Sequence, residues 1–480
     1  MSAPVFTVNI NWNGDGSTMV DEVSRTIDLQ ITRGRSDALQ DVQAGTCTLL
    51  MRNDTGRFTP EYAAGGLFGS LNPHKLVQIK VALGSTYNLF TGYITRIQPM
   101  PMTRTCTITC QDKFLFLKNF HLNEAIVASA LTGDRITDVL TIVGLAGGDM
   151  DIDAGQVTLD HPYQRNTDAL SGIYEYAASD LAGIVFIAAG GKVTYRDAHA
   201  RTLSTSQGTI TSAQDIQYDR GEDNVFTQII LQGGSFDAGI VGSQVWSYSP
   251  LPLLLPASST VVLNPNYNTP ATAVITPVSG TDFIANDAAD GSGTDRSSLM
   301  VSTFTDYGGG AAWSITNTRD KDVYLTTIGV RGTPRGRNTS LRTVTRTGGS
   351  APYVKTYQNS YKFITDLVTL AAFADYLASH FSLQQPKVTL RLLPHVWDSS
   401  DGQFVQMAAR EINDRITLQD TACAYSSQIN GDFFIESITH RISLLNGSFE
   451  TVWGLSTFAN DQFFILDTSK LDSADVLGYI

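Results

Sequence analysis

The sequence is short of charge. Only 16% of its 480 residues are Asp, Glu, Lys or Arg, whereas about 25% is usual in globular proteins. Uncharged polar residues and glycine fill the difference. Because the centres of protein interfaces are depleted in charge, this composition indicates a subunit that buries much of its surface against neighbours. The competing interpretation is that β-rich proteins simply use threonine heavily in their strands.

Positive charge is scarcer than negative charge. The sequence has 33 Lys and Arg against 46 Asp and Glu, which gives a net charge of −13. A protein that reads nucleic-acid sequence presents a basic surface to the phosphates, so the composition argues against that function. Passage of DNA without binding remains compatible with it, because a negatively charged wall repels phosphate.

Cysteine is rare, and its spacing excludes the common cysteine sites. The four residues are Cys47, Cys106, Cys110 and Cys423. No Cys-x-x-Cys pair occurs, which argues against a zinc ribbon or a redox motif. Cys106 and Cys110 share one face of an alternating strand about 13 Å apart, too far for a relaxed disulfide. Free thiols indicate folding in a reducing cytoplasm.

Long apolar runs are missing from the sequence. No stretch reaches the roughly 18 residues of a membrane-spanning helix. The N-terminus has no basic region followed by an apolar segment, and the apolar residues 251–255 are interrupted by Pro252. We therefore expect a soluble chain without a secretion signal, which does not insert into a membrane.

Catalytic motifs are missing as well. The seven histidines are scattered without a His-x-x-x-His pair, and neither a Gly-x-Ser-x-Gly turn nor a P-loop occurs. Carboxylate pairs of the glycosidase type can be found among 46 acidic residues, but no context singles one out. The sequence predicts a protein that is not an enzyme, with no catalytic residue, cofactor or metal ligand assigned.

Three acidic segments resemble cation-binding loops in composition. Residues 11–22 place Asn11 and Glu22 at the first and twelfth positions of a calcium loop. Residues 149–160 carry alternating aspartates, and residues 286–295 form an acidic turn. Ordinary turns and strand edges explain these residues without a metal.

One basic cluster stands against the overall acidity. Five arginines occur in a run rich in Gly, Thr and Pro, namely Arg331, Arg335, Arg337, Arg342 and Arg346. The segment is either a solvated linker or an electrostatic docking site for an acidic surface of a neighbouring chain.

The length predicts three or four domains. The fold class expected is mainly β with a small α/β domain, comprising two related β-barrels per chain plus an inserted β-sandwich. The boundaries follow the changes in pattern: a first β-barrel over 1–120, the α/β domain over 121–210, a second β-barrel over 211–240 and 351–460 with a helix near 366–381, the sandwich over 241–350, and a C-terminal tail over 461–480.

An internal repeat supports the pair of barrels. Within residues 77–110, a strand with alternating apolar residues is followed by a hairpin and a third strand. Residues 416–452 give the same order at similar spacing. Because each copy has the period-two pattern of a half-buried sheet, the repeat predicts two copies of one β unit.

The most distinctive segment is residues 29–62. Two alternating stretches flank Arg33-Gly34-Arg35, and the second ends in a turn, Asn53-Asp-Thr-Gly-Arg-Phe-Thr-Pro60. This segment resembles the first barrel of the tail hub (minor tail, baseplate hub) proteins of long-tailed bacteriophages. The resemblance spans about 1–240 and 350–460, with further landmarks at Asn224-Val-Phe226, at the helix after Tyr357-Gln-Asn-Ser360, and from Phe433 to Trp453-Gly-Leu455.

The resemblance implies a structural protein of the virion. In this family three chains form a ring, and their six barrels make a pseudo-sixfold torus that matches a sixfold tail to a threefold tip. The expected chain is a homotrimer at the tail tip, assembled in the host cytoplasm and acting in host attachment and DNA ejection. Its expected partners are the distal tail ring protein, the tape-measure protein and tail fibre or spike proteins, with double-stranded DNA passing through unbound.

Three alternatives remain open. A distal tail ring protein would be a hexamer with one barrel per chain, which the doubled unit disfavours. The segment 241–350 would suit a glycan-binding adsorption protein at the tail tip. A wall-degrading tail enzyme would require catalytic residues that the sequence does not display.

Overall fold

The computed structural model of the chain is mainly β, with 46% strand and 16% helix, which confirms that part of the expected fold class. It describes residues 4–123, 127–180, 183–202, 204–221, 225–234, 236–337, 342–348, 353–382, 386–394, 402–419, 430–457, 463–464 and 476–477. Asn224 and Cys423 lie outside these ranges. None of the helices within them is long and apolar enough to cross a membrane.

The chain begins with seven strands of one sheet. These are Val5–Ile10 (β1), Val20–Asp21 (β2), Thr26–Gly34 (β3), Gln43–Arg52 (β4), Leu76–Leu83 (β5), Ser85–Met100 (β6) and Thr105–Gln111 (β7). Their alternating pattern sends every second side chain into the core. In β5, for example, Val77, Ile79 and Val81 are fully buried, while Gln78 and Lys80 are half-buried on the other face.

A small α/β layer follows and packs against this sheet. Its elements are Phe114–Asn119 (α1), His121–Asn123 (β8), Ala130–Leu131 (β9), Thr132–Ile142 (α2), Met150–Ile152 (β10), Thr158–Leu159 (β11), Arg165–Asp168 (β12), Ala169–Ser179 (α3), Ile184–Ile187 (β13), Val193–Arg196 (β14) and Ala198–Thr202 (α4). Helix α3 begins after Asp168, whose carboxylate accepts the N–H of Ser171 at 2.9 Å, as N-cap residues do. The apolar stripes of α2 and α3 join the core of the large sheet.

The central part of the chain contains two strands of the large sheet and then an insertion built on one long strand. The strands are Thr209–Ile210 (β15), Asp215–Asp219 (β16), Gln228–Gly233 (β17), Phe236–Ala238 (β18), Ser243–Ser247 (β19), Leu253–Leu255 (β20), Thr260–Leu263 (β21), Ala271–Ile275 (β22), Phe283–Asn286 (β23), Met300–Asp306 (β24), Ala311–Asn317 (β25), Val323–Arg337 (β26), Arg342–Thr347 (β27) and Thr356–Tyr361 (β28). Strand β26 pairs with five others, and the sheet β21–β25–β24 lies across a separate core from it. Trp313 packs on Phe283 there, with ring centroids 5.8 Å apart.

The last part of the chain returns to the large sheet. It comprises Leu367–Phe381 (α5), Lys387–Leu392 (β29), Gly402–Ala409 (α6), Arg415–Leu418 (β30), Gly431–Ser443 (β31), Ser448–Thr457 (β32) and a short pair, Phe463–Phe464 (β33) and Val476–Leu477 (β34). Three 3-10 turns, at Val23–Arg25, Gly147–Asp149 and Ser297–Leu299, complete the described elements. The rest of the expected tail over 461–480 lies outside the described residues.

The strand order of the large sheet repeats. We call β1 and β3–β7 the first block, and β15, β16 and β29–β32 the second block. The first block is ordered β3–β4–β7–β6–β5–β1, and the second β16–β29–β32–β31–β30–β15. The strands follow in the same chain order in both, and both carry a bulge at the same place, at Thr95 in β6 and at Glu436 in β31. One difference is that β15 runs parallel to β30, whereas β1 runs antiparallel to β5.

The two blocks are joined edge to edge rather than closed separately. Strand β3 pairs antiparallel with β31, from Asp28 opposite Ser443 to Gly34 opposite Ser437, and we call this pairing the seam. It makes one 13-stranded sheet. Among the described strands no sheet closes on itself, so closure of each unit into a barrel is not confirmed.

The structure divides the region 211–460 differently from the expected second barrel. Strands β27, β17 and β28 form a separate three-stranded sheet, with α5 packed on it over a core of its own. This connector unit lies between the insertion and the second block. The sequence patterns could not show this division, because alternating strands look alike whichever sheet they join.

Candidate functional surface

The turn motif at residues 53–60 is held by its own side chains. Asn53 Oδ1 accepts the N–H of Phe58 at 2.8 Å, and Asn53 Nδ2 donates to Thr59 at 2.9 Å. The N–H of Gly56 donates to the carbonyl of Asn53 at 3.1 Å, and Gly56 has a φ of +69°. The turn chemistry expected from the sequence is therefore present.

The same motif ties the loop after β4 to the start of the chain. Arg57 contacts the Glu22 carboxylate at 2.6 Å, and Trp12 Nε1 donates to it at 3.0 Å. Glu22 is only 2% exposed, so these partners take the place of water at its carboxylate. Phe58 packs on Trp12 beneath them, with ring centroids 5.9 Å apart.

This arrangement removes Glu22 from the calcium-like loop. The loop itself is held by Asp15, whose carboxylate accepts hydrogen bonds from Ser17 and Thr18. These bonds, those of Thr18 first, hold the pKa of Asp15 well below its usual range. The side chains of residues 11–22 thus stabilise a turn, and the twelfth-position carboxylate points to Trp12 and Arg57 instead.

The aspartates of residues 149–153 each have a cation of the same chain. Lys113 contacts Asp149 at 2.5 Å, and Arg196 contacts both Asp151 at 2.5 Å and Asp153 at 3.1 Å. The hydrogen bonds from Lys113 and Arg196 lower the pKa values of Asp149 and Asp151. These carboxylates therefore serve ion pairs that fasten the α/β layer.

The acidic turn at residues 286–295 is also structural. Asn286 Nδ2 donates to two backbone carbonyls of the turn, and Asp287 binds Arg296 and Arg319, each at 2.8 Å. Across the described residues, no group of three or more His, Cys, Asp or Glu side chains is arranged to hold a metal ion.

The arginine cluster is largely engaged within its own chain. Arg331 contacts Asp282 at 2.5 Å and Arg346 contacts Asp375 at 2.5 Å. Arg335 lies 3.2 Å from His161 Nε2, and Arg342 donates to the carbonyl of Thr365 at 2.9 Å. The side chain of Arg337 is not among those described. These contacts fasten the insertion and connector unit, and they favour this local role over docking of a neighbour.

A buried ionic network lies behind the seam. Arg35 contacts the Glu436 carboxylate at 2.6 Å, and Arg201 of α4 contacts it at 2.7 Å from the other side. Burial alone raises the pKa of Glu436, but Arg201 and Arg35 reverse this and lower it to about 2. The network fixes the first block, the α/β layer and the second block to one another.

A second ion pair reinforces the first. Arg33, 4% exposed at its side chain, contacts Glu411 at 2.7 Å, and Glu411 also accepts the N–H of Ala189 at 2.8 Å. Sequence patterns marked the Arg33-Gly34-Arg35 segment only as a break between two strands. The carboxylate partners of its two arginines lie 378 and 401 positions further along the chain, and no local spacing announces them.

Gly34 allows the two blocks to approach. Its φ is +109°, and a Cβ there would stand 2.1 Å from the carbonyl oxygen of Glu436. Only glycine fits such a close backbone contact. The seam therefore depends on Gly34 as well as on the arginines beside it.

The large sheet presents an outer face on which side chains of both blocks are exposed or half-buried. This face consists of the strand positions that alternate with the core, and it is rich in Thr and Gln. Members from both blocks are Gln30, Thr32, Thr46, Thr48, Gln98, Thr107, Thr109, Gln111, Gln217, Thr389 and Thr439, all exposed or half-buried. One cross-strand row runs without a break over the seam, through Thr439, Thr32, Thr46 and Gln111.

A shallow groove of about 450 Å³ follows the seam on this face. Asp28, Gln30, Thr48 and Glu450 are among its lining residues. Glu450 binds Arg391 at 2.8 Å and Arg441 at 3.1 Å, whereas no ion pair is described for Asp28. Within the described residues, the unpaired charges of this face are of both signs and include Asp28, Asp219 and Arg96, so it would attract phosphate only weakly.

Comparison with known proteins identifies a solved structure of similar fold. No family model and no curated protein matches the chain. Among solved structures, the tail protein from Neisseria meningitidis MC58 matches with a TM-score of 0.50 at 9% identity, covering 95% of this chain and 97% of that one. The chain shares that tail-protein fold.

Two further tail proteins match less closely. The 43 kDa tail protein of prophage MuSo2 from Shewanella oneidensis gives a TM-score of 0.49 at 10% identity, over 94% of this chain and 97% of that one. The prophage tail protein gp18 from Listeria monocytogenes EGD-e gives 0.42 at 9% identity, over 94% of each chain.

Proposed function

We propose that the chain is a structural tail protein of a tailed bacteriophage, and specifically the hub at the tail tip. In this function three copies form a ring that joins the tail ring to the fibre or spike and surrounds the DNA exit channel. The repeated block carries the proposal. The shared fold with a tail protein, at 95% coverage of this chain, supports it.

The repeat suits a protein that connects two symmetries. Two similar blocks per chain give six similar blocks in a trimer, so one face of the ring can meet six identical subunits. The remaining parts of the chain, including the insertion, keep threefold symmetry. A closed ring requires a rigid angle between blocks, and the buried Arg35–Glu436–Arg201 network supplies that rigidity. A distal tail ring protein would need only one block.

The outer face of the sheet suits the wall of a DNA channel. Its Thr and Gln side chains offer hydrogen bonds to water without concentrating positive charge, and the chain carries a net charge of −13. Phosphate binds basic surfaces by releasing counterions, so a wall of this kind lets a duplex pass without holding it. Distal tail ring, tape-measure and fibre or spike proteins are the partners that this location implies.

Electron microscopy of the purified protein tests the proposal. We expect class averages to show a ring with threefold symmetry, a six-lobed outline and an open centre. Averages of a compact particle without a central opening, or a ring with a different symmetry, would contradict the hub assignment.

A further inference from the structure

Each block leaves open, among the described strands, the edge that corresponds to the other side of the seam. Strand β6 pairs with β5 over residues 85–93 and with β7 over residues 93–100. Ile94 still bonds on that side, donating to the carbonyl of Lys75 at 2.9 Å and accepting the N–H of His74 at 2.7 Å. Beyond Ile94, no described strand pairs with the β5-side edge of β6. Strand β16, at the end of the 13-stranded sheet, pairs with β29 on one side only.

These two open edges correspond to the two edges that meet at the seam. The repeat places β16 where the first block has β3, and β6 where the second block has β31. The bulges at Thr95 and Glu436 set the register, so Gln98 occupies the position of Thr439. Strand β16 pairs with β29 in the same register as β3 pairs with β4. Asp219 is therefore the counterpart of Thr32. At the seam, Thr32 and Thr439 are paired.

Core positions are uncovered at both open edges. In β3, Leu29 and Ile31 are buried, at 3% and 0% exposure. Their counterparts in β16 are Ile216, which is half-buried, and Tyr218, which is 54% exposed. An apolar pair at core positions of a sheet is costly to leave in water.

The opposite edge shows the same difference. In β31, Ile438 and His440 are buried, at 0% and 1% exposure. Their counterparts in β6 are Ile97 and Pro99, which are both only half-buried. The core positions that the seam buries within a chain are thus only partly buried at the two open edges.

We propose that neighbouring chains join by repeating the seam, with β16 of one chain lying antiparallel beside β6 of the next. Ile216 and Tyr218 then pack beside Ile97 and Pro99 of the next chain. This inference rests on the proposed ring of three, and it names the strands that close it. The partner is a second copy of this chain, because the chain's own seam shows the same edges fitting together.

Charge complementarity supports the same register. With Asp219 opposite Gln98 of the next chain, Arg96 of that chain lies diagonally across from the Asp219 carboxylate. Diagonal neighbours on adjacent strands stand about 7–8 Å apart, within reach of a long side chain. Within the described residues neither Asp219 nor Arg96 forms an ion pair.

Pro99 limits the backbone bonding at this junction. At the seam, the N–H of Leu444 donates to Ile27 at 2.9 Å, and this register makes His440 and Ile31 a hydrogen-bonded pair. Pro99 stands at the position of His440 and has no N–H. Side-chain packing therefore contributes more to the junction than it contributes to the seam. The proline also disfavours pairing of the open edge with unrelated strands.

The interface is of the head-to-tail type. Each chain offers a β16 edge and a β6 edge, and both are used once the ring closes. Six equivalent junctions, three within chains and three between them, require a rotation of about 60° each. No edge of these two kinds is then left open.

Disulfide trapping tests the pairing. In a Cys423→Ser background, the variant Gln98→Cys/Asp219→Cys places thiols at the counterpart of the Thr32–Thr439 pair. Such a non-hydrogen-bonded pair has Cα atoms about 4.5 Å apart, within disulfide range. We expect oxidation to give covalent dimers and trimers, and no larger species, on a non-reducing gel.

Two control variants and one interface variant accompany the disulfide test. Thr32→Cys/Thr439→Cys should form a link within the chain that leaves its size unchanged. Gln78→Cys/Asp219→Cys, with its first thiol on β5 away from the open edge, should form no link between chains. A second variant, Tyr218→Asp, should release single chains of 52.0 kDa with unchanged circular dichroism, because Tyr218 is exposed in one chain.

The outcomes separate this inference from the proposed function. Suppose that the protein has a trimeric mass but the Gln98→Cys/Asp219→Cys variant forms no more disulfide links between chains than the Gln78→Cys/Asp219→Cys control. This result would overturn the pairing and leave the hub proposal standing. A Tyr218→Asp variant that stays fully trimeric would do the same. A monomeric mass of the unmodified protein would overturn both.

Discussion

At the scale of single residues, Asp112 connects β4 to the start of α1. Its carboxyl group accepts the N–H of Gly45 at 2.6 Å and that of Phe114 at 3.0 Å. The side chain is 3% exposed. Burial raises its pKa to about 7, although the two hydrogen bonds and Arg33 oppose the shift.

This pKa makes stability depend on pH. An unfolded Asp ionises near pH 3.9, so between that pH and about 7 the folded state holds a proton that the unfolded state has lost. Stability therefore falls as the pH rises through this window. Asp112→Asn cannot ionise, and relative to wild type it should gain about 2–3 kcal/mol in free energy of unfolding between pH 5 and pH 8. Urea denaturation at the two pH values measures the difference.

The control is Asp54→Asn, since Asp54 is exposed on the turn after β4. This variant should differ from wild type by the same amount at both pH values. Equal pH dependence in Asp112→Asn and wild type would show that Asp112 titrates as an ordinary carboxyl group.

What sequence predicts at this scale is local. The turn at residues 53–60 follows from residue types that bond their own backbone, and it is present with the expected glycine. The partners of Arg57, Arg33 and Arg35 could not be predicted in the same way. They come from 35, 378 and 401 positions away, and a sequence pattern carries no information about such distant charges.

At the scale of elements, strand order was predictable and sheet membership was not. Apolar alternation located the strand–hairpin–strand units at 77–110 and 416–452, and the structure gives both the same topology. The seam between β3 and β31 leaves no local signature, because any two half-buried strands have the same alternation. The same limit explains why β17 and β28 were expected in the second barrel.

Gly34 offers the sharpest test of the seam. Gly34→Ala would place a Cβ 2.1 Å from the Glu436 carbonyl oxygen, so the blocks would have to separate. We expect a loss of at least about 3 kcal/mol in free energy of unfolding, measured by chemical denaturation.

Gly16→Ala is the matched control. Gly16 also has a positive φ, +74°, but a Cβ there meets nothing within 4 Å. Its cost should be only that of the left-handed backbone, about 1 kcal/mol. Similar losses in the two variants would mean that the close approach at the seam contributes little.

At the scale of the whole molecule, the scarcity of charge has a structural counterpart. The Thr- and Gln-rich outer face and the open edges at β6 and β16 account for polar and apolar surface that a single chain leaves uncovered. The composition predicts a subunit with large contacts, but it does not indicate the strands that we propose to make them. Those strands emerge only once the repeat is seen in three dimensions, because equivalence between blocks depends on pairing and register.

The mass of the purified protein in solution, measured by native mass spectrometry or light scattering, tests the central claim most directly. One chain has a mass of 52.0 kDa, and a ring of three predicts a particle with three times that mass. The assembly should keep this mass on dilution into the low micromolar range. A particle with the mass of a single chain, or with the mass of six chains, would contradict the trimeric hub.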